Sequence, residues 1–321
     1  MIEKKKPVIH DLDQLQPDYA RYRQWMCETR PDLADRLVQG KMAWQESFLQ
    51  VASQYEVILL DAFGVIVVGK EAIAGAVESV AALQGMAKKV RLVSNNASQS
   101  PVQLQESYGR LGFRFALEDI ITSGMTIQGY VAGSSLRDEP YVLIGTEESR
   151  LWYAPDSGRL ALQPEGVEDR GYLLVCSNRD YYGDGAMQEA VERLLGQGEP
   201  VVLLANPDLV APEGEGRFNP VAGYTVARWL DRYPVKVVGL GKPFSPIFQL
   251  ALQGLSEVEP GKVLMVGDTL DTDILGGINM GFATCLTGSG SYWGLDSKAV
   301  ENLCWKKGIY PDYCVKSIGS L

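Results

Sequence analysis

A doubly wound α/β fold with a second α/β unit inserted into the first is what the sequence predicts, on three observations. Short runs of branched and long apolar residues recur without polar alternation, the pattern of strands buried on both faces of a parallel sheet. Amphipathic stretches of helical length separate them, giving the β–α–β–α order of such folds. Several runs end on polar residues, in the place where open α/β sheets hold their chemistry, outside the carboxyl ends of the strands. The 321 residues suffice for two domains and a substantial core.

Residues 1–50 are expected to form an added helical arm. Pro17, Pro31 and Gly40 punctuate short amphipathic pieces carrying Tyr19, Tyr22, Trp25, Met26, Trp44 and Phe48, a packing or oligomer surface rather than a ligand box. The first buried strand, residues 57–60, stops at Asp61, with Gly64 three positions on. Taken alone, Asp61 reads as a turn cap. A loop over 65–71 leads to a helix over 73–86, followed by Lys88 and Lys89, favourable charges near a helix C-terminus. A second strand, 90–93, ends at Ser94-Asn95-Asn96, and a helix over 101–111 carries Pro101 in its first turn. A short strand over 120–123 and another helix complete this stretch. The rhythm resumes with strands at 141–145, 172–176 and 201–206 and a helix at 186–195. Residues 208–220, rich in Pro, Gly and Glu, read as a functional or mobile loop. Strands at 235–239 and 262–267 are assigned to the first unit. The expected division is a helical arm over 1–50, a discontinuous core over 51–136 and 237–321, and an inserted unit over 137–236.

Composition removes several kinds of chemistry. A net charge of −10 and an isoelectric point near 4.8 argue against a nucleic-acid partner, which needs clustered Lys and Arg. No stretch reaches the length of a membrane span. The basic start is followed by Asp11 and Asp13 where a signal peptide needs an apolar core, so a cytoplasmic protein is expected. Cys27, Cys176, Cys285, Cys304 and Cys314 lack C-x-x-C spacing and read as reduced thiols with no zinc site. The only histidine, His10, falls in the polar arm and reads as a surface residue. Ser–His–Asp and Cys–His hydrolysis, histidine phosphotransfer and His-ligated metals are thereby disfavoured. Acid–base or nucleophilic work is left to carboxylates, lysine, serine or thiols.

Four polar clusters follow strand-like runs or precede helices: Asp61-Ala62-Phe63-Gly64, Ser94-Asn95-Asn96, Gly241-Lys242-Pro243, and Gly267-Asp268 through Asp271-Thr272-Asp273. Each has an ordinary reading by itself. Ser94 is a plausible helix cap, Gly-Leu-Gly-Lys lacks the Ser/Thr and spacing of a P-loop, and the aspartates form a solvated acidic turn. At successive parallel strand ends, however, all four would converge on one edge, which favours a functional site.

These motifs resemble the haloacid dehalogenase superfamily, in particular its large-capped, NagD-like branch of sugar and nucleotide phosphatases. The matching residues are Asp61 with Gly64-Val65, Val93-Ser94-Asn95-Asn96-Ala97-Ser98, Gly241-Lys242-Pro243, and Val266-Gly267-Asp268 through Thr272-Asp273-Ile274-Leu275-Gly276-Gly277. Ala205-Asn206-Pro207-Asp208 is similar to that branch's cap motif, and the likeness spans roughly residues 55–288. It implies a Rossmann-like core with an α/β cap, and Mg²⁺-dependent hydrolysis of a small phosphorylated metabolite through an aspartyl-phosphate on Asp61. Mg²⁺ would be held by the Asp61 and Asp268 carboxylates and the Phe63 carbonyl, with Asp273 orienting metal-bound water from outside the ligand set. Ser94 and the Asn95 amide would hold phosphoryl oxygens, and Lys242 would neutralise nucleophile and phosphate. Asn206 and Asp208 would bind substrate, with the cap stretches 178–184 and 206–217 choosing it. Asp271 has no assigned role and is expected to face solvent. Branch relatives pair through the cap, so a homodimer is a further expectation.

Phe63 departs from the phosphatase pattern, which places there a second Asp that protonates the leaving group. A phenyl ring transfers no proton, a loss of about 10²- to 10⁴-fold. Three readings follow: a phosphohydrolase that uses good leaving groups or borrows an acid such as Asp208 or Asp180, a catalytically weak phosphometabolite-binding protein, or a 2-haloacid dehalogenase, whose first motif Asp-Ala-Phe-Gly also resembles.

Overall fold

The computed structural model describes residues 20–28, 42–153, 160–161, 171–214, 217–255 and 257–320. Its strand Val57–Leu60 lies within a seven-stranded sheet whose order is Ala43–Trp44, Tyr313–Val315, Ala283–Thr287, Val263–Gly267, Val57–Leu60, Lys89–Ser94 and Ile120–Thr122. Every pairing in it is parallel. The absence of alternation in Val57–Leu60 has a direct cause: both faces of the sheet are covered. Ile58 and Leu60 point into one apolar cluster with Phe48, Leu83, Val90 and Leu92. Val57 and Leu59 point into another with Ile247, Phe248 and Met265, the two-residue period of a pleated strand.

A second sheet of five strands runs Lys236–Gly239, Val201–Leu204, Tyr172–Val175, Tyr141–Ile144 and Leu160–Ala161, again with parallel pairings. The chain is thus α/β throughout, as expected. The strand Lys236–Gly239, assigned above to the first unit, instead pairs with Val201–Leu204 at the edge of the second sheet. Four apolar-rich residues suit either parallel sheet, and nothing in their sequence tells the two apart. The stretch read as a loop over 208–220 contains an antiparallel hairpin, Val210–Gly214 with Arg217–Pro220. Proline and glycine, depleted in strands, obscured it.

The arm is not wholly helical. Ala20–Glu28 is a helix, but Ala43–Trp44 is a strand that pairs with Tyr313–Cys314 at the edge of the first sheet, too short for any periodic signal. His10, Tyr19, Pro31 and Gly40 lie outside the described residues. No helix among the described residues is long and apolar enough to cross a membrane. The four cysteines whose side chains are described, Cys176, Cys285, Cys304 and Cys314, are buried free thiols.

Candidate active site

Parallel pairing delivers the polar clusters to one edge. Leu60 is in register with Val266 and with Leu92, and the Asp61 amide extends the ladder by donating to the Val266 carbonyl at 2.9 Å. Asp61, Ser94 and Asp268 therefore leave neighbouring strands close together. Lys242 enters from the turn that follows the last strand of the second sheet. Asn95 clamps its backbone: the Asn95 Nδ2 donates to the Lys242 carbonyl at 3.2 Å and the Lys242 amide donates to Asn95 Oδ1 at 2.7 Å. Gly241 permits this approach, since a Cβ there would lie 2.4 Å from Asn95 Oδ1 and 2.6 Å from the Ala205 carbonyl.

The Lys242 ammonium is buried among acceptors. It donates to Asp61 Oδ1 and, at 2.8 Å, to the Val93 carbonyl, and it pairs with Asp273 Oδ1 at 2.7 Å. Burial alone would lower its pKa, but Asp273, Asp61 and Asp208 outweigh burial and hold it above the usual lysine range. Asp268 is fixed by three donors: the Ser291 amide and hydroxyl reach Oδ2 at 2.6 and 2.8 Å, and the Thr269 hydroxyl reaches Oδ1 at 3.0 Å. Asp273 Oδ2 accepts the amides of Asp268 and Thr269 at 3.2 and 3.1 Å, tying off the π-helical turn Leu270–Ile274 that carries it. Two glycines press on Asp268. A Cβ on Gly64, whose φ is +79°, would meet Asp268 Oδ2 at 2.2 Å, and one on Gly290 would meet it at 2.1 Å.

Ligand oxygens of Asp61, Asp268 and Asp273 lie within 4.8 Å of one another. Three carboxylates thus crowd round one ammonium, and burial and crowding together raise the proton affinities of Asp61 and Asp268. The Asp61 carboxyl is pushed up to about 8, chiefly by burial, with Lys242 opposing and Asp273 and Asp268 adding. Asp268 is pushed up to about 7, by burial and then Asp273, against its hydrogen bonds from Ser291 and Thr269. A divalent cation would relieve this crowding, and an all-oxygen donor set suits a hard ion such as Mg²⁺ or Ca²⁺. One further observation fits such an ion: no backbone amide among the described residues donates to the Phe63 carbonyl.

The remaining expected residues are placed as follows. Ser94 is buried at its strand end, where its Oγ accepts the Asn96 amide at 3.2 Å. The ring of Phe63 is half-buried against the core cluster below the sheet. Asn206 Oδ1 accepts the Asp208 amide at 3.0 Å, which shapes the Asn-Pro-Asp turn. Asp208 feels Lys242, Asp61 and Asp273, and burial, its largest influence, pushes its carboxyl up to about 7. Asn178 is committed to the second unit through the Val221 carbonyl and Thr225, and Asp184 caps the helix Gly185–Leu195. Asp180 is exposed beside Arg179. Asp271, expected to face solvent, is half-exposed and pairs with Lys307 at 2.5 Å.

Sequence reasoning missed the wall formed by 287–291. Thr287 and Ser289 donate to the Gly64 carbonyl at 3.1 and 2.7 Å, and Ser291 holds Asp268 as described. The signal was present, since Ala283–Thr287 ends in the polar run Gly-Ser-Gly-Ser just as the other strands do.

Residues 58–152 match the family described as haloacid dehalogenase-like hydrolase, and residues 239–321 match the one described as HAD-hydrolase-like. The chain is 28% identical over 301 residues to the glycerol-3-phosphate phosphatase of Rattus norvegicus, covering 84% of this chain and 90% of the relative. A solved structure from Cytophaga hutchinsonii, described as that of a possible sugar phosphatase, superposes with a TM-score of 0.73 at 25% identity, over 86% of this chain and 98% of its own. The glycerol phosphate phosphatase of Mycobacterium tuberculosis, solved in complex with calcium, gives a TM-score of 0.65 at 26% identity, covering 84% and 75% of the two chains. With its acidic cluster and its two parallel sheets, this chain belongs to the haloacid dehalogenase superfamily of hydrolases, in the large-capped, NagD-like branch.

Proposed function

We propose that the protein is a Mg²⁺-dependent phosphohydrolase of small phosphorylated metabolites, a sugar phosphate, a nucleotide-like ester or an ester with a good leaving group, working through an aspartyl-phosphate on Asp61. The observation that carries this reading is the bridge made by Lys242 between Asp61 and Asp273, with Asp268 inside the same cluster. The phosphatase names of the relatives support the same class.

In this scheme Asp61 attacks phosphorus, the leaving-group oxygen departs with the bond electrons, and water then cleaves the aspartyl-phosphate and releases inorganic phosphate. Lys242 pulls the Asp61 pKa down against burial and offsets charge on the phosphoryl group. The Ser94 hydroxyl and the Asn95 amide receive phosphoryl oxygens at the neighbouring strand end. Asp61, the Phe63 carbonyl and Asp268 are the residues that would hold Mg²⁺, with Asp273 beside them. When bound, the ion supplies charge neutralisation and polarises the phosphoryl group. Asn206 and Asp208 border the substrate.

Phe63 leaves the proton of the leaving group without a donor at the usual position. Asp180 is exposed and beside Arg179, whereas Asp208 stands within electrostatic reach of Asp61 and Lys242 and has its carboxyl pushed up to about 7. Asp208 is therefore the donor of choice, active in its protonated form near neutral pH. The same Phe63 motivates the second reading, a protein that binds phosphorylated metabolites and turns them over weakly.

A panel of phosphate esters, acyl phosphates and 2-haloacids, assayed with Mg²⁺ and with EDTA, tests the assignment. Phosphate release that needs the metal and disappears in Asp61→Asn is the expected result. Halide release in EDTA would identify a dehalogenase, and ligand binding without turnover would identify the binding protein.

A further inference from the structure

The helix Ala20–Glu28 precedes the first core strand by some thirty residues, yet it is not packed on that strand. Its Tyr22 is 1% exposed, and the hydroxyl donates to the Pro207 carbonyl at 2.5 Å, at the centre of the Asn206-Pro207-Asp208 turn. One helical turn on, the Trp25 indole donates to the Val237 carbonyl at 3.2 Å, on the edge strand of the second sheet. The same ring lies 5.1 Å from the ring of Phe244, two residues beyond Lys242. Arg21 donates to the Leu230 carbonyl at the end of the helix Ala222–Leu230, and Tyr22 and Met26 share an apolar cluster with Tyr224, Trp229 and Phe244. Further along the arm, Ala43–Trp44 pairs with Tyr313–Cys314 at the edge of the first sheet.

The arm is thus anchored at two places, one in each sheet's unit, and at the first of them Tyr22 and Trp25 touch both segments that meet at Lys242. We propose that it is a strap that holds the turn Asn206–Asp208 against Lys242, with Tyr22 and Trp25 as positioning residues. The physical basis is the geometry of the turn. Ala205 and Pro207 approach Gly241 so closely that a Cβ there would meet the Ala205 carbonyl at 2.6 Å and the Pro207 ring at 2.8 Å. From the Gly241 side the two segments are tied by the Leu240 amide, which donates to the Leu204 carbonyl at 3.0 Å, and the arm closes the contact from the other side. Tyr22 presses on the Pro207 carbonyl and Trp25 on Phe244. The Tyr22 hydroxyl is held well above the usual phenol range by burial, and Asp208 and Asp271 add to it. It therefore stays protonated, and a donor, through the neutral range.

The inference rests on the proposed function only where activity is the readout, so the test has an arm that does not use activity. Hydrogen exchange is measured on the full chain and on Tyr22→Phe, which removes one hydroxyl and keeps the ring. Residues 205–209 and 240–244 are expected to exchange roughly 2- to 10-fold faster, the effect of one lost buried hydrogen bond, while residues 57–60 keep their wild-type rates. With p-nitrophenyl phosphate and Mg²⁺, kcat/KM is expected to fall by a similar factor. Combination with Asp208→Asn should be non-additive, because both changes act through one turn. Trp25→Phe, which loses the indole donor to Val237, supplies an independent second variant. Unchanged exchange at 205–209 and 240–244 in both folded variants would overturn the strap, as would a uniform rise that includes 57–60. If the wild type hydrolyses nothing, the exchange result still decides the strap, and only the proposed function is lost.

Discussion

The pH dependence of stability in the metal-free protein follows from the burial of Asp61 and Asp268 and, after it, from their crowding with Asp273. Their carboxyls stand at about 8 and about 7 in the fold, against about 4 in an unfolded chain. A raised carboxyl contributes stability that is complete below its unfolded pKa and is lost as pH rises through its folded pKa. Between pH 5 and 7.5 the folded protein therefore holds protons that the unfolded chain has released, and stability falls with a slope of about 1.4 kcal/mol per pH unit for each excess proton. Counting one net excess proton for the cluster gives a loss of roughly 3 kcal/mol across that window, or about 6–12 °C in Tm at 2–4 °C per kcal/mol. Asp208, with its carboxyl pushed up to about 7, adds to the same downward slope, whereas the single histidine and the Cys176 and Cys285 thiols, which burial keeps protonated well beyond the window, add little. Thermal melts in EDTA from pH 5 to 7.5 read the slope directly. Asp268→Asn should flatten it. Saturating Mg²⁺ should raise Tm more at pH 7.5 than at pH 5, because at low pH protons compete with the ion for the same oxygens. A metal-free Tm that is level or rising over this range, or a Mg²⁺ effect larger at pH 5, would refute the assignment of these carboxylates to a shared cation site.

Three other changes probe the site. With Asp208 as the leaving-group acid, Asp208→Asn should depress alkyl phosphates more than p-nitrophenyl phosphate and Phe63→Asp should add little, whereas a gain of up to about 10²-fold on alkyl phosphates in Phe63→Asp would show that the site lacks an acid. Gly64→Ala combines a left-handed backbone with a Cβ 2.2 Å from Asp268 Oδ2 and should cost about 2–5 kcal/mol in denaturant unfolding, whereas a loss below about 1 kcal/mol would show that the Asp268 carboxylate shifts at little cost. Asn95→Ala removes both hydrogen bonds that clamp the Lys242 backbone and should lower kcat more than it raises KM, because the ammonium is misplaced at the reacting carboxylate rather than at a remote binding contact.

What was readable in the sequence is what a strand end can carry. Val57–Leu60 reads as doubly buried because both its faces are, and the polar residue after it is positioned by the ladder itself. The same logic places Ser94 and Asp268. It fails where a pattern is shared by two sheets, as with Lys236–Gly239, and where a strand is only two residues long, as with Ala43–Trp44. It also fails for contacts between distant segments. Nothing in the spacing of Asn95 and Lys242, or of Asp268 and Ser291, encodes that one side chain clamps the other's backbone or carboxylate. Asp271 shows the limit most plainly, since an acidic turn predicts solvent and only the three-dimensional approach of Lys307 supplies its partner.

Assigning Lys236–Gly239 to the second sheet changes how the site is put together. Lys242 follows that strand by three residues, so the ammonium that bridges Asp61 and Asp273 is carried on the return crossing between the two sheets. Any rotation of the second unit pulls directly on the backbone of Lys242, and Asn95 is the counterweight, holding that backbone to the first sheet with a donor and an acceptor at once. A phosphatase whose cap must move to admit substrate would then couple opening to the charge state of its nucleophile. Drawing Lys242 away removes the influence that lowers the Asp61 pKa and leaves the carboxyl closer to its protonated, unreactive form. Seating the second unit restores the ammonium and its downward pull on the Asp61 pKa, the direction that attack requires.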